Sequence, residues 1–545
     1  MSGQDLAPDL LPCATTLPQA LALAVRLSGG DEAVVCDGER ITYGALAARV
    51  DEVAAALAAL GVRRGDHVGI CLGNSIRWIV LFHAIARLGA VTVPVNTRLK
   101  AEEIAYTLRQ SDVTTLFVAG RLLRIDFIAL LRQICPAIDT ALPDTALPKL
   151  SRVVVLGDEV PAGAVGFSEF LCGAEGLAPP EPACLPDDPL LIQYTSGTTS
   201  FPKGAVLTHR NMLWNAYSAG RFFGLRAGER YFSPRPFFHV AGSTLAVIAS
   251  LQYGACLVSS ERYEPSEALR LLEEERCTLM SGNDTIFLML LNHPDLPRRK
   301  LVLRGGWAAA TPAVMERIAT QLGATETVVC YGQSEASPNV CASAWWDPLD
   351  DRIAGLMRIH PGIEVAIRTG EDRADPAPGE VGEIYVRGWN VMKGYYAKPE
   401  ETRAALSVDG WLRTGDLGRL LPDGRMAFVG RAKDIIRVGG ENVAMADIEN
   451  VLHRHPGIQQ AQVVGVPDDR LIEVPAAFVI LSGESSLAPA DIIAWSRQHL
   501  AGFKVPRYVQ IVESFDLIGM TASSKVQKDK LAAHARQVFG LDALA

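Results

Sequence analysis

No C-x-x-C pair and no Cys/His cluster with metal-ligand spacing occurs in this sequence, although it holds ten cysteines. That excludes the common zinc frameworks and leaves scattered free thiols, the usage of a reduced intracellular compartment. No run of Lys and Arg stands out, and 52 basic against 61 acidic residues give a formal charge of −9. A general nucleic-acid binder is therefore excluded. Internal repeats at solenoid or propeller periods are missing as well. The first residues, "MSGQDLAPDLLPCATT", lack a basic stretch followed by an apolar one, so no signal peptide is expected. One segment, Pro236 to Ser260, contains no Asp, Glu, Lys or Arg and is long enough to cross a bilayer. Ser243, Thr244, Gln252, Gly254 and three further serines interrupt it, so it is expected to be a buried helix running into a strand. A cytoplasmic protein without a transmembrane segment is the resulting expectation.

What is present is a chain of 545 residues, 49% hydrophobic and 21% charged, which is globular and too long for one ordinary core. Apolar residues in "ALAARVDEVAAALAALGV" recur at helical spacing, and "HVGICLG" follows as a strand. "WIVLFHAIARLG" and "AVTVPVN" repeat the pair. Such alternation predicts a parallel sheet flanked by helices. Toward the C-terminus, "GRMAFVGRAKDIIRVGG" is short, β-rich and turn-punctuated, with Asp423-Gly424 as a hairpin signal. "MADIENVLHRHPGI", "IQQAQVVGVPD", "VPAAFVILSG" and "DIIAWSRQHLAG" then alternate helix and strand in a compact unit. A domain boundary is expected near Arg431 to Asp434. The polar stretch from Glu371 to Glu383 is expected to be a turn between strands.

The stretch "YTSGTTSFPKGAVLTHRN", Tyr194 to Asn211, has the composition of a phosphate loop. Thr195, Ser196, Thr198, Thr199 and Ser200 offer hydroxyls, Gly197 frees the backbone to turn its N–H groups toward an anion, and Lys203 adds a point charge. It is not the Walker A loop, because the glycine before the lysine and the Ser/Thr after it are both missing. Thr208 is expected to cap a helix beginning at His209.

"YTSGTTSFPKG" resembles the signature of the adenylate-forming superfamily, which includes acyl- and aryl-CoA synthetases, with Ser200 where the family usually has glycine. Five further motifs resemble that superfamily in order: "FFHVAG" (237–242), "YGQSEA" (331–336), "WLRTGDLG" (411–418), "GRAKDIIRVGGENV" (430–443) and "SSKVQKDKL" (523–531). Ser524 replaces the family glycine in the last of these. The resemblance implies an α/β fold: a large N-terminal domain of several subdomains with helix-flanked sheets, 1–431, and a small α+β C-terminal domain, 432–545, rotating about a hinge. It implies ATP, Mg²⁺ and CoA as cofactor and co-substrates, a small carboxylic acid as partner, no nucleic acid, and is compatible with a homodimer.

The residue roles come with the same resemblance. Thr195, Ser196, Gly197, Thr198, Thr199 and Lys203 would cradle the β- and γ-phosphates. Ser334 would touch the α-phosphate, and Glu335 would hold Mg²⁺, a cation that prefers carboxylate oxygen. Asp416 would accept from the ribose hydroxyls, Arg431 would contact ribose or phosphate, and Tyr331 would stack on adenine. Lys525 would bridge the attacking carboxylate and the α-phosphate, which makes Lys525, Lys203 and Glu335 the catalytic set. Lys433 matches the hinge, and Gly439 and Gly440 match the thiol channel. His239 and Val240, with Gly306, Trp307 and Ala308 of "RGGWAAATP", would border the acyl pocket.

Amino-acid-activating relatives place an aspartate in the segment equivalent to "FFHVAG". No acidic residue occurs from Phe237 to Ser260, so an uncharged, apolar acyl group is expected, fatty or ring-bearing. Trp307 stands where a small residue is usual and would shorten the pocket or offer a flat wall. Two alternatives remain at this point: an enzyme that loads the phosphopantetheinyl arm of a carrier protein, and a non-catalytic nucleotide-binding protein of the same fold. Retention of Lys203, Glu335, Asp416 and Lys525 speaks against the second.

Overall fold

The helix expected over 45–62 runs from Tyr43 to Ala59, because Thr42 supplies an N-cap: its hydroxyl accepts from the Ala45 N–H. It stops at Leu60, where the chain enters the left-handed region at Gly61, φ 91°. The next helix, Ile76–Arg87, is capped by Ser75 and carries Trp78, Phe82 and Ile85 fully inside. Each such side chain contributes roughly 1.5–3 kcal/mol of apolar burial. These coordinates are a computed structural model that describes residues 14–195, 202–369, 376–431, 435–438, 441–483, 485–521 and 526–541.

Among the described residues, seven strands form the sheet that these two helices cover. Val91–Pro94, His67–Cys71, Thr115–Ala119 and Arg152–Leu156 lie parallel at its centre, as the repeated strand–helix alternation requires. The hairpin Pro189–Thr195 and Lys203–Thr208 closes one edge. A second sheet of thirteen strands is built in two halves. Cys256–Ser259, Arg230–Phe232, Leu279–Asn283, Gly305–Ala309 and Glu326–Gly332 are parallel neighbours. Beyond Glu326–Gly332 the pairing becomes antiparallel, out through Met426–Arg431, Leu412–Leu420, Gly382–Gly388 and Ile363–Arg368. Of the turn expected over Glu371 to Glu383, residues 371–375 lie outside the described residues, and its last two residues, Gly382 and Glu383, already belong to the strand Gly382–Gly388.

The uncharged segment 236–260 is helical from Val240 to Tyr253, with a π-helical stretch at Ser243–Ile248, and continues into the strand Cys256–Ser259. Its side chains are almost wholly buried. Among the described residues no helix is long and apolar enough to cross a membrane.

Asp423-Gly424 turns the chain between Leu412–Leu420 and Met426–Arg431, with Gly424 at φ 80°. Both of those strands belong to the thirteen-stranded sheet. The next strand, Ile435–Val438, belongs to a separate five-stranded sheet with Glu441–Ala444, Ile458–Asp468, Ile472–Leu481 and Tyr508–Ile511. Helices Met445–His453, Pro489–His499 and Lys528–Val538 accompany it. It has its own apolar core around Ile448, Val463, Phe478 and Leu531. The small unit meets the large one through the Asn450 side chain, which accepts from the Ala313 N–H at 3.1 Å, and through Gln460, which donates to the Thr285 hydroxyl at 3.1 Å.

Candidate active site

The phosphate-loop stretch is carried on the edge hairpin, where Thr195 and Lys203 stand opposite each other. Of the residues expected to cradle phosphate, Ser196, Gly197, Thr198 and Thr199 lie outside the described residues, as does Ser200. Thr208 caps the helix His209–Phe223 as expected, its hydroxyl accepting from Asn211 N at 3.1 Å. The Asn211 side chain returns the bond to Thr208 N, so the cap is reciprocal.

The segment 393–396 lies along the outer edge of this hairpin. Val206 N donates to the Gly394 carbonyl, and Tyr396 N donates to the Gly204 carbonyl. That docking puts the Tyr395 ring beside Lys203, whose ammonium is 5.2 Å from the ring centroid. The Tyr395 hydroxyl donates to Glu335 Oε1 at 2.8 Å. Burial and the neighbouring Glu335 carboxylate hold the Tyr395 phenol well above its usual pKa, so it stays a donor. Met392 N also donates to the Glu335 carbonyl at 2.9 Å. Glu335 is thereby fixed at both ends, on the 3-10 turn Ser334–Ala336 that follows the strand Glu326–Gly332. Lys203, Tyr395 and Glu335 form one cluster, with Ser334 adjacent in the chain. Tyr395 was not anticipated from the sequence, because "KGYYAKPE" lies outside every motif that was singled out.

A second cluster forms where two antiparallel strands pair Asp416 with Arg431. Asp416 is 4% exposed, accepts from the Tyr331 hydroxyl at 2.9 Å, and lies 3.4 Å from Arg431 Nε. Tyr331 is stacked on Phe428 with ring centroids 5.1 Å apart. One face of the ring expected to meet adenine is therefore covered by Phe428, and its hydroxyl is committed to the carboxylate. Burial, with Asp416 beside it, raises the Tyr331 phenol well above its ordinary pKa. Tyr331 and Glu335 share the same strand-and-turn, which ties the two clusters together.

His239 stands at the N-cap of the helical segment, with its ring Nδ1 accepting from Ala241 N at 3.1 Å. Gly242 must be a glycine there, since a Cβ would sit 2.1 Å from the Pro236 carbonyl oxygen. Asn74 clamps the preceding chain: its side chain accepts from Phe237 N at 2.7 Å and donates to the Arg235 carbonyl at 3.0 Å. Val240 and Ala308 are buried. Gly306 adopts φ 127°, and a Cβ would approach the Met280 carbonyl oxygen to 1.9 Å, so backbone contact between parallel strands demands this glycine. Trp307 is 2% exposed, donates from Nε1 to the Tyr231 hydroxyl at 2.7 Å, and stacks on Phe223. Its ring is held in the core by these two contacts.

Lys525, Lys433, Gly439, Gly440 and Ser524 lie outside the described residues. The chain flanking 522–525 is described: Met520 pairs with Val526, and the Thr521 carbonyl accepts from Arg98 Nη1 at 3.5 Å. Arg98 precedes the helix Ala101–Gln110, whose Tyr106 hydroxyl donates to the Pro202 carbonyl at 3.0 Å. That helix thus links the terminal segment to the end of the phosphate hairpin.

Among the described residues no three His, Cys, Asp or Glu side chains gather as a metal site. A single carboxylate, Glu335, suits a Mg²⁺ ion that takes its other ligands from phosphate and water.

The chain matches the model of the family described as AMP-binding enzyme over residues 22–396, and that of the AMP-binding enzyme C-terminal domain over 447–525. The mitochondrial medium-chain acyl-CoA ligase ACSF2 of Danio rerio is 33% identical over 550 residues, covering 97% of this chain and 89% of the relative. The crystal structure of the anthranilate CoA ligase AuaEII in complex with anthranoyl-AMP superposes with a TM-score of 0.85 at 25% identity, over 96% of this chain and 98% of that one. A Mycobacterium tuberculosis fatty acyl CoA synthetase gives a TM-score of 0.68 at 28% identity, over 96% and 99%. With this fold, both site clusters and a match over most of its length, the chain belongs to the AMP-binding enzyme family and is an AMP-forming acyl-CoA ligase that uses ATP and CoA.

Proposed function

We propose that the protein activates a fatty or ring-bearing carboxylic acid in two steps at the site described above. A carboxylate oxygen attacks the α-phosphorus of ATP, the bond to pyrophosphate breaks, and acyl-AMP forms. The thiol of CoA then attacks the acyl carbon, the bond to AMP breaks, and the thioester leaves. Both steps bring anions together, so positioning and charge neutralisation carry the catalysis. The observation that carries this proposal is the Lys203–Tyr395–Glu335 cluster joined through one strand to the Tyr331–Asp416–Arg431 cluster.

Lys203, with Thr195 to Thr199, holds the leaving pyrophosphate, and Ser334 meets the α-phosphate. Glu335 would hold Mg²⁺, which supplies charge neutralisation on the phosphates, and the Tyr395 hydroxyl on Oε1 orients that carboxylate. Asp416 and Arg431 hold the ribose, as an acceptor and a donor side by side. Lys525 bridges the attacking oxygen and the α-phosphate. The contact of Thr521 with Arg98 supports this role, because it keeps the neighbouring chain next to the phosphate hairpin. The domains are 1–431 and 432–545, with Lys433 at the hinge and Gly439 and Gly440 lining the thiol channel. His239, Val240, Gly306, Trp307 and Ala308 border the acyl pocket. Free CoA is the acceptor, in line with the relatives' printed activities.

A panel of carboxylic acids supplied with ATP, Mg²⁺ and either CoA or a phosphopantetheinyl carrier protein tests the proposal, with products identified by mass. Acid-dependent AMP and acyl-CoA are expected. Thioester on the carrier alone, or no acid-dependent AMP, would overturn it.

A further inference from the structure

Arg235 is 3% exposed, and its Nε and Nη1 have no hydrogen-bond partner. No carboxylate pairs with it among the described residues. Its guanidinium lies over the Trp307 ring, 5.8 Å from the centroid, and the same Trp307 stacks on Phe223. Burial without a counter-charge pulls its pKa down to about 10, with only Cys330 and Tyr231 acting in the other direction. The side chain nevertheless stays a cation at neutral pH, and a π face compensates only part of the lost hydration.

The setting of this cation points to a ligand. Arg235 follows the strand Arg230–Phe232 and stands at the C-terminal ends of parallel strands, where open α/β sheets receive ligands. Asn74 fixes its backbone from a buried position, donating to its carbonyl at 3.0 Å and to Ser259 Oγ at 3.1 Å. Pro236 turns the chain directly into His239, whose N–H donates to the Pro236 carbonyl at 3.0 Å. The proposed acyl-pocket residues His239 and Trp307 therefore flank Arg235, one along the chain and one across a ring face. Nothing in the adenylation chemistry assigned above uses this cation.

We infer that Arg235 is a specificity-determining residue that pairs with a second carboxylate, at the end of the acyl group away from the carboxyl being activated. The preferred acids are dicarboxylic, one group forming the thioester and the other neutralising the guanidinium. A guanidinium whose Nε and Nη1 both lack partners has charged donors to offer a carboxylate oxygen. A neutral keto oxygen accepts one bond and leaves the charge uncompensated. This inference rests on the acyl pocket proposed above.

The test uses the full-length enzyme with ATP, Mg²⁺ and CoA, and compares kcat/KM for monocarboxylates, keto acids and dicarboxylates of matched length, both linear and aromatic. At the best length the wild type is expected to prefer the dicarboxylate over its monocarboxylate by at least about tenfold, and over the keto acid as well. The dicarboxylate-to-monocarboxylate ratio is expected to fall about 10²-fold in Arg235→Met and to be partly kept in Arg235→Lys. A wild type that prefers monocarboxylates at every length, keto acids accepted as well as dicarboxylates, or a ratio unchanged in Arg235→Met would overturn it. Should both variants fail to fold, the wild-type ratio decides alone. Thioesters formed from monocarboxylates only would sink this inference and leave the ligase proposal standing, whereas no acid-dependent AMP from any acid would sink both.

Discussion

Tyr395 donates its hydroxyl to Glu335 Oε1 at 2.8 Å, joining the chain beside the phosphate hairpin to the turn that carries the proposed Mg²⁺ ligand. The bond restrains the orientation of the Glu335 carboxylate. Tyr395→Phe removes the donor and keeps the ring beside Lys203. A hydrogen bond to a charged group is worth about 1.5–3 kcal/mol, so kcat/KM for ATP is expected to fall by about 10–100-fold. Titration with Mg²⁺ checks the cause: the apparent Mg²⁺ requirement rises in the variant. An unchanged requirement would show that Tyr395 does not orient Glu335 for the ion.

Asp416 takes the Tyr331 hydroxyl on Oδ2 and stands 3.4 Å from Arg431 on Oδ1, in a position 4% exposed. If it also binds ribose hydroxyls, Asp416→Asn weakens that acceptor while keeping the shape. The expected outcome is a KM for ATP raised about 10-fold or more, since a charge-assisted bond becomes a neutral one. Comparing ATP with its 2′- and 3′-deoxy forms gives the diagnostic reading. The wild type discriminates against at least one of them, and the variant discriminates less. Equal discrimination in both proteins would remove Asp416 from the ribose site.

Local pattern carried most of the architecture. Alternating helix and strand over 45–96 predicted the parallel centre of one sheet, because each element buries a face of fixed period. The hairpin at Asp423-Gly424 and the cap at Thr208 were likewise legible, since each depends on residues adjacent in the chain. Contacts between distant segments were not. Tyr395 reaches Glu335 across 60 positions, and Phe428 covers Tyr331 although their strands are separated by two others in the thirteen-stranded sheet. The stretch from Phe237 to Ser260, which lacks acidic residues, begins two residues after Arg235. In the sequence that arginine is merely a flank, and only the fold shows it buried over Trp307. Trp307 itself shows the converse: its motif position suggested a wall, while its bond to Tyr231 also makes it part of the core.

Lys525 is assigned to the first half-reaction alone. Lys525→Ala is expected to lower acid-dependent pyrophosphate release by at least about 10²-fold, because a transition-state charge contact is lost. Thioester formation from supplied acyl-adenylate and CoA should stay within about threefold. Equal loss of both half-reactions would refute that division.

Trp307 tests the pocket against the core. Trp307→Gly opens space but discards a buried ring and its Tyr231 bond, so it is expected to cost roughly 3–5 kcal/mol and to give a much less stable protein. Trp307→Phe keeps the stack on Phe223 and loses the indole donor. It is expected to unfold a few degrees lower and to accept bulkier acids. Thermal melts and the acid panel are read together: a lower melting temperature with an unchanged acid profile makes Trp307 a core residue only.

Asp284 begins the helix Asp284–Leu291, and its Oδ1 accepts from the Thr311 N–H at 2.9 Å and hydroxyl at 3.2 Å. Burial pushes its pKa up to about 7, with the Glu449 carboxylate of the small unit adding to the rise and the Thr311 bonds opposing it. The unfolded chain ionises this carboxyl near 3.8. Between those values the unfolded state is charged and the folded state neutral, so the contribution to stability is fully present below pH 3.8 and is lost as pH rises toward 7. Asp284→Asn keeps an acceptor for Thr311 and has no proton to lose. The variant is therefore expected to match the wild type near pH 4 and to become progressively more stable than it up to pH 7, with a constant advantage above. The advantage is on the order of 1 kcal/mol or more, read from denaturant unfolding at each pH. A stability difference that does not change across pH 4–8 would mean that Asp284 titrates at its ordinary value.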